Sequence, residues 1–236
     1  QRLSNLLLQN ITELLRVPDS EKERQQSIEW GIKFMVNAQK DPDLFKDALE
    51  ELHKAEELRK QDYFVLHRLG MIYLYATNFM NPGKALHYFE TAAKYASVES
   101  DPGAMRLANV LTSSNDDSST DSIQQVAADS FEKAALAAYV LGMFDVAVKH
   151  QTKALRLSGT TKNKFLLAKY IVRMGDVDSA IKHLDNALES MPALFEGVFR
   201  DFDLMNEPKV LKFLKTKSDE LNLNIYRLIK DAELLE

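Results

Sequence analysis

Phe131-Glu132-Lys133-Ala134-Ala135-Leu136-Ala137-Ala138 leads to Gly142-Met143-Phe144-Asp145-Val146-Ala147 and then to Lys153-Ala154-Leu155. The same pattern returns as Lys164-Phe165-Leu166-Leu167-Ala168-Lys169-Tyr170-Ile171, then Gly175-Asp176-Val177-Asp178-Ser179-Ala180, Asn186-Ala187-Leu188 and Pro192. From glycine to alanine is five residues in both copies, from that alanine to the next Ala-Leu seven, and Ala147 and Ala180 stand 33 apart. Self-similarity at such a period marks a supersecondary unit that buries its apolar face against copies of itself. Small residues at fixed places let two helix axes approach, and a glycine after a helical run supplies the left-handed residue that ends it.

Working outward, Leu66, Leu69, Gly70 and Tyr73 followed by Ala85, Phe89 and Ala92 form an earlier copy, with an inserted turn around Asn78 to Pro82. Ala48, Leu52 and Ala55 read as one more second helix, preceded by a degenerate first helix carrying Trp30-Gly31. The 62 residues between Ala85 and Ala147 predict an extra helix at Ala104 to Leu111 instead of a full repeat. Between these lies the run from Thr112 to Ser122, which holds no apolar residue. It gains too little burial to offset its ordering entropy, and a mobile polar loop is expected at 112–122.

Helix starts are legible where an acceptor side chain precedes a proline, at Asp41-Pro42, Asn81-Pro82 and Asp101-Pro102. The acceptor caps a backbone N–H and the proline occupies the position whose N–H is unpaired anyway. Ser20 with Glu23 reads as a capping box opening a helix from about 20 to 38, and Asp178 as the cap of another. An apolar stripe of Leu7, Ile11, Leu14 and Leu15 predicts a helix from Leu3 to Leu15. At the other end Val210, Leu211, Leu214, Leu221, Ile225 and Leu228 recur at helical spacing, with Lys209, Lys212, Lys215 and Lys217 read as the solvated face. No segment shows the short alternating runs of strands.

The repeated pattern resembles the tetratricopeptide repeat, a helix-turn-helix unit of about 34 residues with a closing proline. The resemblance covers about 43 to 192. It implies an all-α fold of helix-turn-helix repeats stacked in a right-handed superhelical solenoid, with residues 1–42 as N-terminal helices, 43–192 as the repeats and 193–236 as C-terminal capping helices, the last of them long. It also implies a concave face, lined by the first helices, that receives a protein or peptide segment. Once the packing positions are removed, those helices keep Phe64, His67, Met71 and Tyr75, then Glu132, Leu136 and Tyr139, then Lys162, Phe165, Lys169 and Arg173. Aromatic and Met side chains offer large contact area, and Lys and Arg await a carboxylate. An inner face filled by the protein's own helices is the competing expectation. Members that bind chaperone tails clamp a terminal carboxylate with Lys, Asn and Arg, but His67, Met71 and Leu166 stand where polar groups are needed, so that activity is not expected.

Composition narrows the function classes. A formal charge of −5 disfavours a nucleic-acid binder, which draws on clustered Lys and Arg. No run approaches the roughly 18 apolar residues of a membrane span. The chain has no cysteine, which removes disulfides and thiolate chemistry and fits a reducing compartment such as the cytoplasm. There is no phosphate loop, dinucleotide fingerprint or His-Glu-x-x-His helix. His53, His87, His150 and His183 fall on second helices with no two at i, i+3 or i+4, and read as surface histidines. Asp201-Phe202-Asp203 lacks the glycine and terminal glutamate of a calcium loop. Glu50-Glu51 and Glu56-Glu57 read as solvated pairs, and the sequon Asn10-Ile11-Thr12 matters only in a secreted chain. No catalytic residue, metal or cofactor is expected. Because Gln1 opens the chain without a Met, a processed or partial chain with an upstream effector domain is a second expectation, which would make this a sensor or regulatory domain. An unrecognised helical enzyme is the third.

Overall fold

The structure is a computed structural model that describes residues 19–99 and 118–233. Among the described residues every regular element is helical. The chain divides into two compact units, 1–130 and 131–236.

The first unit contains α1 (Asp19–Asn37), α2 (Leu44–Leu58), α3 (Tyr63–Tyr75), a 3-10 turn (Thr77–Phe79), α4 (Pro82–Glu99) and the first half of α5 (Ser118–Val140). Pro82 opens α4, and Asn81 Oδ1 accepts from Lys84 N at 3.0 Å, as the Asn-Pro pair predicts. The inserted turn closes through Asn81 N donating to Tyr73 O at 2.7 Å. Asp41 accepts from Asp43 N at 3.3 Å in a turn that precedes α2, so the helix starts two residues beyond the proline. Ser20 lies inside α1 instead of capping it. Asp62 caps α3 by accepting from Phe64 N and Val65 N, a start that carries no proline to announce it. The expected helices at Leu3–Leu15 and Ala104–Leu111, the Asp101-Pro102 start and residues 112–117 lie outside the described residues. Ser118 to Ser122, expected in the polar loop, instead lie in α5.

Two glycines set the packing of this unit. A Cβ on Gly31 would stand 2.8 Å from Leu52 Cγ, and one on Gly70 would stand 2.8 Å from Phe89 Cε1. Leu52 follows Ala48 by four residues as Phe89 follows Ala85, so α1/α2 and α3/α4 make the same contact. The pair that reads as degenerate in sequence is therefore regular where its helices meet. Ala48, Leu52, Ala55, Ala85, Phe89 and Ala92 are all fully buried.

The second unit continues with the rest of α5, α6 (Phe144–Leu157), α7 (Thr161–Met174), α8 (Val177–Ser190), α9 (Leu194–Arg200), α10 (Phe202–Met205) and α11 (Pro208–Glu233). Gly142 at φ +75° ends α5 and Gly175 at φ +96° ends α7. In both, the next N–H reaches five residues back, Met143 to Ala138 O at 2.9 Å and Asp176 to Ile171 O at 3.2 Å. That is the Schellman closure the repeated glycine predicts. Asp176, not Asp178, caps α8, accepting from Ser179 N at 3.2 Å, while Asp178 sits in the first turn and pairs with Lys209 at 3.0 Å. Ala135, Ala147, Ala154, Ala168, Ala180 and Ala187 are buried, as the close approach of helices requires. Ala147→Leu and Ala180→Leu are therefore each expected to cost about 1–3 kcal/mol by overpacking; thermal melts check this, and a pair of neutral variants would break the repeat alignment.

At the C-terminal end Val198, Leu204, Val210 and Leu214 join Ala168, Leu184 and Leu188 in one buried cluster. Leu211 leaves the expected stripe and is 38% exposed, because Val210 and Leu214 already take the inward positions. Leu221, Ile225 and Leu228 have side chains outside the described residues. Lys217 is not simply solvated, since Asp185 and Glu189 of α8 both pair with it and hold its pKa up, chiefly through the Asp185 hydrogen bond.

Candidate functional site

The candidate contacts lie on α3 in the first unit and on α5 and α7 in the second. On α3, Phe64 is half-buried beneath the Arg68 guanidinium, 3.2 Å from its ring centroid. Burial pulls the pKa of Arg68 down to about 10. Phe64 also lines a cavity of about 310 Å³ with Arg24, Ile28, Arg59, Asp62 and Tyr63. There Arg24 is buried and bonded to Glu21 and Asp62, and its pKa is raised by the Glu21 hydrogen bond first, with Asp62 adding to it against the cost of burial. Met71 is half-buried, and Tyr75 is exposed beside a smaller pocket of about 210 Å³ with Pro42 and Phe45.

His67 is anchored from two sides. Its Nδ1 lies 3.0 Å from Ser130 Oγ and its Nε2 3.1 Å from Asp129 Oδ2. A serine, a histidine and an aspartate thus meet, the residue types of a nucleophilic triad. Ser130 is fully buried, however, and Asp129 and Ser130 are consecutive on α5. A hydroxyl closed off from any substrate serves here as a hydrogen-bond anchor between α3 and α5, because a nucleophile must reach the carbon it attacks.

In the second unit Glu132 and Lys162 join α5 to α7 at 2.6 Å. Leu136 is half-buried, and Phe165 packs against the cluster built on Leu184 and Leu188, so it belongs as much to the core as to the surface. Tyr139, Lys169 and Arg173 converge on Asp201 and Asp203, which flank Phe202 at the start of α10. Lys169 Nζ stands 2.8 Å from Asp201 Oδ2 and 3.7 Å from Asp203 Oδ2. Arg173 Nη1 stands 3.2 Å from Asp203 Oδ1, and the Tyr139 hydroxyl donates to Asp203 Oδ2. The Lys169 ammonium also lies over the Tyr139 ring at 5.0 Å and the Arg173 guanidinium over Phe144 at 4.8 Å. Burial raises the Tyr139 pKa, and its bond to Asp203 adds to that. Burial opposes the charge of Lys169, but the hydrogen bond to Asp201 and the surrounding carboxylates outweigh it and leave its pKa above the ordinary value.

Asp201 and Asp203 carry this arrangement, yet their sequence suggests only a failed calcium loop. The signal was separation: some 30 residues divide them from Lys169 and Arg173, and no periodicity links a loop carboxylate to a helix that distant. Asp201 also caps α10, its Oδ1 accepting from Asp203 N at 3.1 Å and Leu204 N at 3.3 Å. Other polar residues differ from expectation as well. His150 is buried and stacked on Phe131, which an apolar neighbour across the helix pair favours over water. Glu56 is half-buried, 2.9 Å from His53 Nδ1 and accepting from the Tyr88 hydroxyl at 3.4 Å, because the second helices α2 and α4 face one another there. Among the described residues no group of His, Asp and Glu is placed to hold a metal ion, and no helix is long and apolar enough to cross a membrane.

What the helix pairs share decides their class: a small residue of the first helix (Gly31, Gly70, Ala135, Ala168) and alanines of the second (Ala48, Ala85, Ala147, Ala180) recur in register, all buried, with left-handed glycines closing two of the first helices. The chain is an all-α helical repeat protein whose helix pairs resemble the tetratricopeptide unit. No known family's sequence model matches it, and no curated protein does. Among solved structures it is similar to the APC/C hetero-tetramer Cut9-Hcn1, at 18% identity and a TM-score of 0.49, over 82% of this chain and 29% of that one. The chain thus spans less than a third of that protein's length. It is also similar to MamA, at 17% identity and a TM-score of 0.33 over 75% of this chain and 96% of that one. A thermophilic TPR protein of Thermus thermophilus matches at 20% identity and a TM-score of 0.30, over 81% and 98%. The tetratricopeptide-like assignment rests on the helix caps and buried alanines of the chain itself; these likenesses say nothing of partner or activity.

Proposed function

We propose that this repeat protein is an interaction scaffold, not an enzyme, and that the first-helix stripes take up a segment of a partner protein. The observation that supports it is a division of labour along those helices. Their packing faces are closed, with Leu69, Gly70, Ala135, Leu167 and Ala168 buried, while Met71, Tyr75, Leu136 and Arg173 on the same helices stay partly or well exposed. Aromatic, Met and Arg side chains held on a rigid helix offer contact area at small conformational cost.

Met71 and Tyr75 give the cleanest test, since they are not part of the Asp203 cluster. Met71→Ala with Tyr75→Ala is expected to weaken binding of a partner, recovered by pull-down and then purified, by about 2 kcal/mol or more, roughly thirtyfold in Kd. Titration calorimetry reads the affinity and a thermal melt confirms the fold. Unchanged affinity in a folded double variant would move the binding surface away from α3.

A further inference from the structure

We propose that the segment Phe199 to Asp203 is an internal pseudo-ligand: it occupies in cis a receptor for acidic protein segments that Tyr139, Lys169 and Arg173 build on the first helices of the second unit. The proposal rests on the reading of those stripes as a binding face and names the chemistry of what one of them takes. The receptor has the parts such a site needs, two cations each set over an aromatic ring and a phenol that donates, all aimed at two side-chain carboxylates. Charge-assisted bonds of this kind are the strong ones, and they recognise carboxylate whatever chain supplies it.

The occupant is held in a way that lets it leave. Val198 and Leu204 are fully buried in the core cluster and act as anchors on either side. Between them Phe199 and Phe202 are exposed, Phe202 to 77%, and the Arg200 side chain is 77% exposed. The segment thus presents little but its two aspartates to the second unit's face, and a strap pinned at both ends can swing out once those bonds are exchanged. Arg173 keeps 44% of its side chain in solvent, which leaves an approach open to a competitor. An occupant tethered this closely acts at an effective concentration of order millimolar, so a free acidic segment competes poorly until the strap is weakened.

The experiment uses the whole chain and a fluorescein-labelled synthetic peptide of residues 199–205, Phe-Arg-Asp-Phe-Asp-Leu-Met. The Asp201→Asn, Asp203→Asn variant is expected to bind it about tenfold or more tightly than the unchanged chain, as the tethered competitor is removed. The gain is expected to vanish when Lys169→Met and Arg173→Met are added, and when the peptide carries Asn for both Asp. A folded Asn variant with no gain would overturn the proposal and make the cluster a structural ion network alone. Should that variant fail to fold, hydrogen exchange of the unchanged chain decides: millimolar peptide is expected to speed exchange at the Asp203 and Leu204 amides, which donate to Asp201, and unchanged exchange overturns the proposal. The Met71 and Tyr75 variants leave this assay untouched. A gain of peptide binding beside partner binding that ignores α3 would retain the pseudo-ligand and discard the wider reading, and the reverse pair of results would do the opposite.

Discussion

Phe89→Ala is expected to destabilise the first unit by about 3–5 kcal/mol, among the largest costs of any single substitution there. Phe89 is fully buried between α3 and α4, with His67 edge-on to its ring at 5.4 Å. Truncation removes that contact and leaves a cavity that two helices fixed by Ala85, Ala92 and Leu69 cannot close. The partner position fails in the opposite sense. Gly70→Ala puts a methyl 2.8 Å from the ring, and a ring with no exposed surface has little room to yield, so a cost of about 1–3 kcal/mol is expected. In the double variant the new methyl fills part of the space the ring vacates, so the two costs sum to more than the measured one. Urea unfolding of the four proteins checks the cycle, and strict additivity would mean that Gly70 and Phe89 do not share a contact.

That contact also shows how far the sequence carries. The spacing of Gly70 to Phe89 and of Gly142 to Ala147 is written in local periodicity, because residues that meet across a helix pair recur at fixed offsets when the pair recurs. The cap at Asn81-Pro82 was legible, whereas the start at Asp41-Pro42 is displaced by a turn before the helix and the cap read at Asp178 falls on Asp176. The packing faces of the first helices were legible for the same reason, and Leu69 and Leu167 are buried where helical spacing puts them. What fills the second unit's stripe was not. Asp201 and Asp203 reach Lys169 and Arg173 through the path of α8 and α9, and only the folded chain brings them together. The buried Ser130 beneath His67 is a further case, 63 residues away with no repeat relating them.

Asp203→Ala is expected to cost the second unit about 3–5 kcal/mol, because it removes one member of a buried ionic cluster and leaves the others uncompensated. The aspartate keeps 7% of its side chain in solvent and Lys169 22%, so water replaces little of what is lost at those two groups. Arg173, at 44%, recovers hydration and adds less. Asp203→Asn keeps the shape and an acceptor for Tyr139 and should cost less than the alanine. The pH dependence separates this cluster from ordinary packing. Lys169 has a folded pKa above its usual 10.5 and Tyr139 one above its usual 10.0, so the folded chain holds both protons to higher pH than the unfolded chain does. Stability from these groups is therefore fully present below pH 10.0 and is lost as pH climbs through the raised values. Chemical unfolding at neutral pH and again above pH 10.5 reads the difference. In the unchanged chain stability should fall across that interval, and in Asp203→Asn part of the fall should go, because the Asp203 hydrogen bond adds to the burial that holds the Tyr139 proton, whereas Asp201 is the main support of the Lys169 proton. An equal alkaline loss in both proteins would mean that Asp203 does not hold the Tyr139 proton.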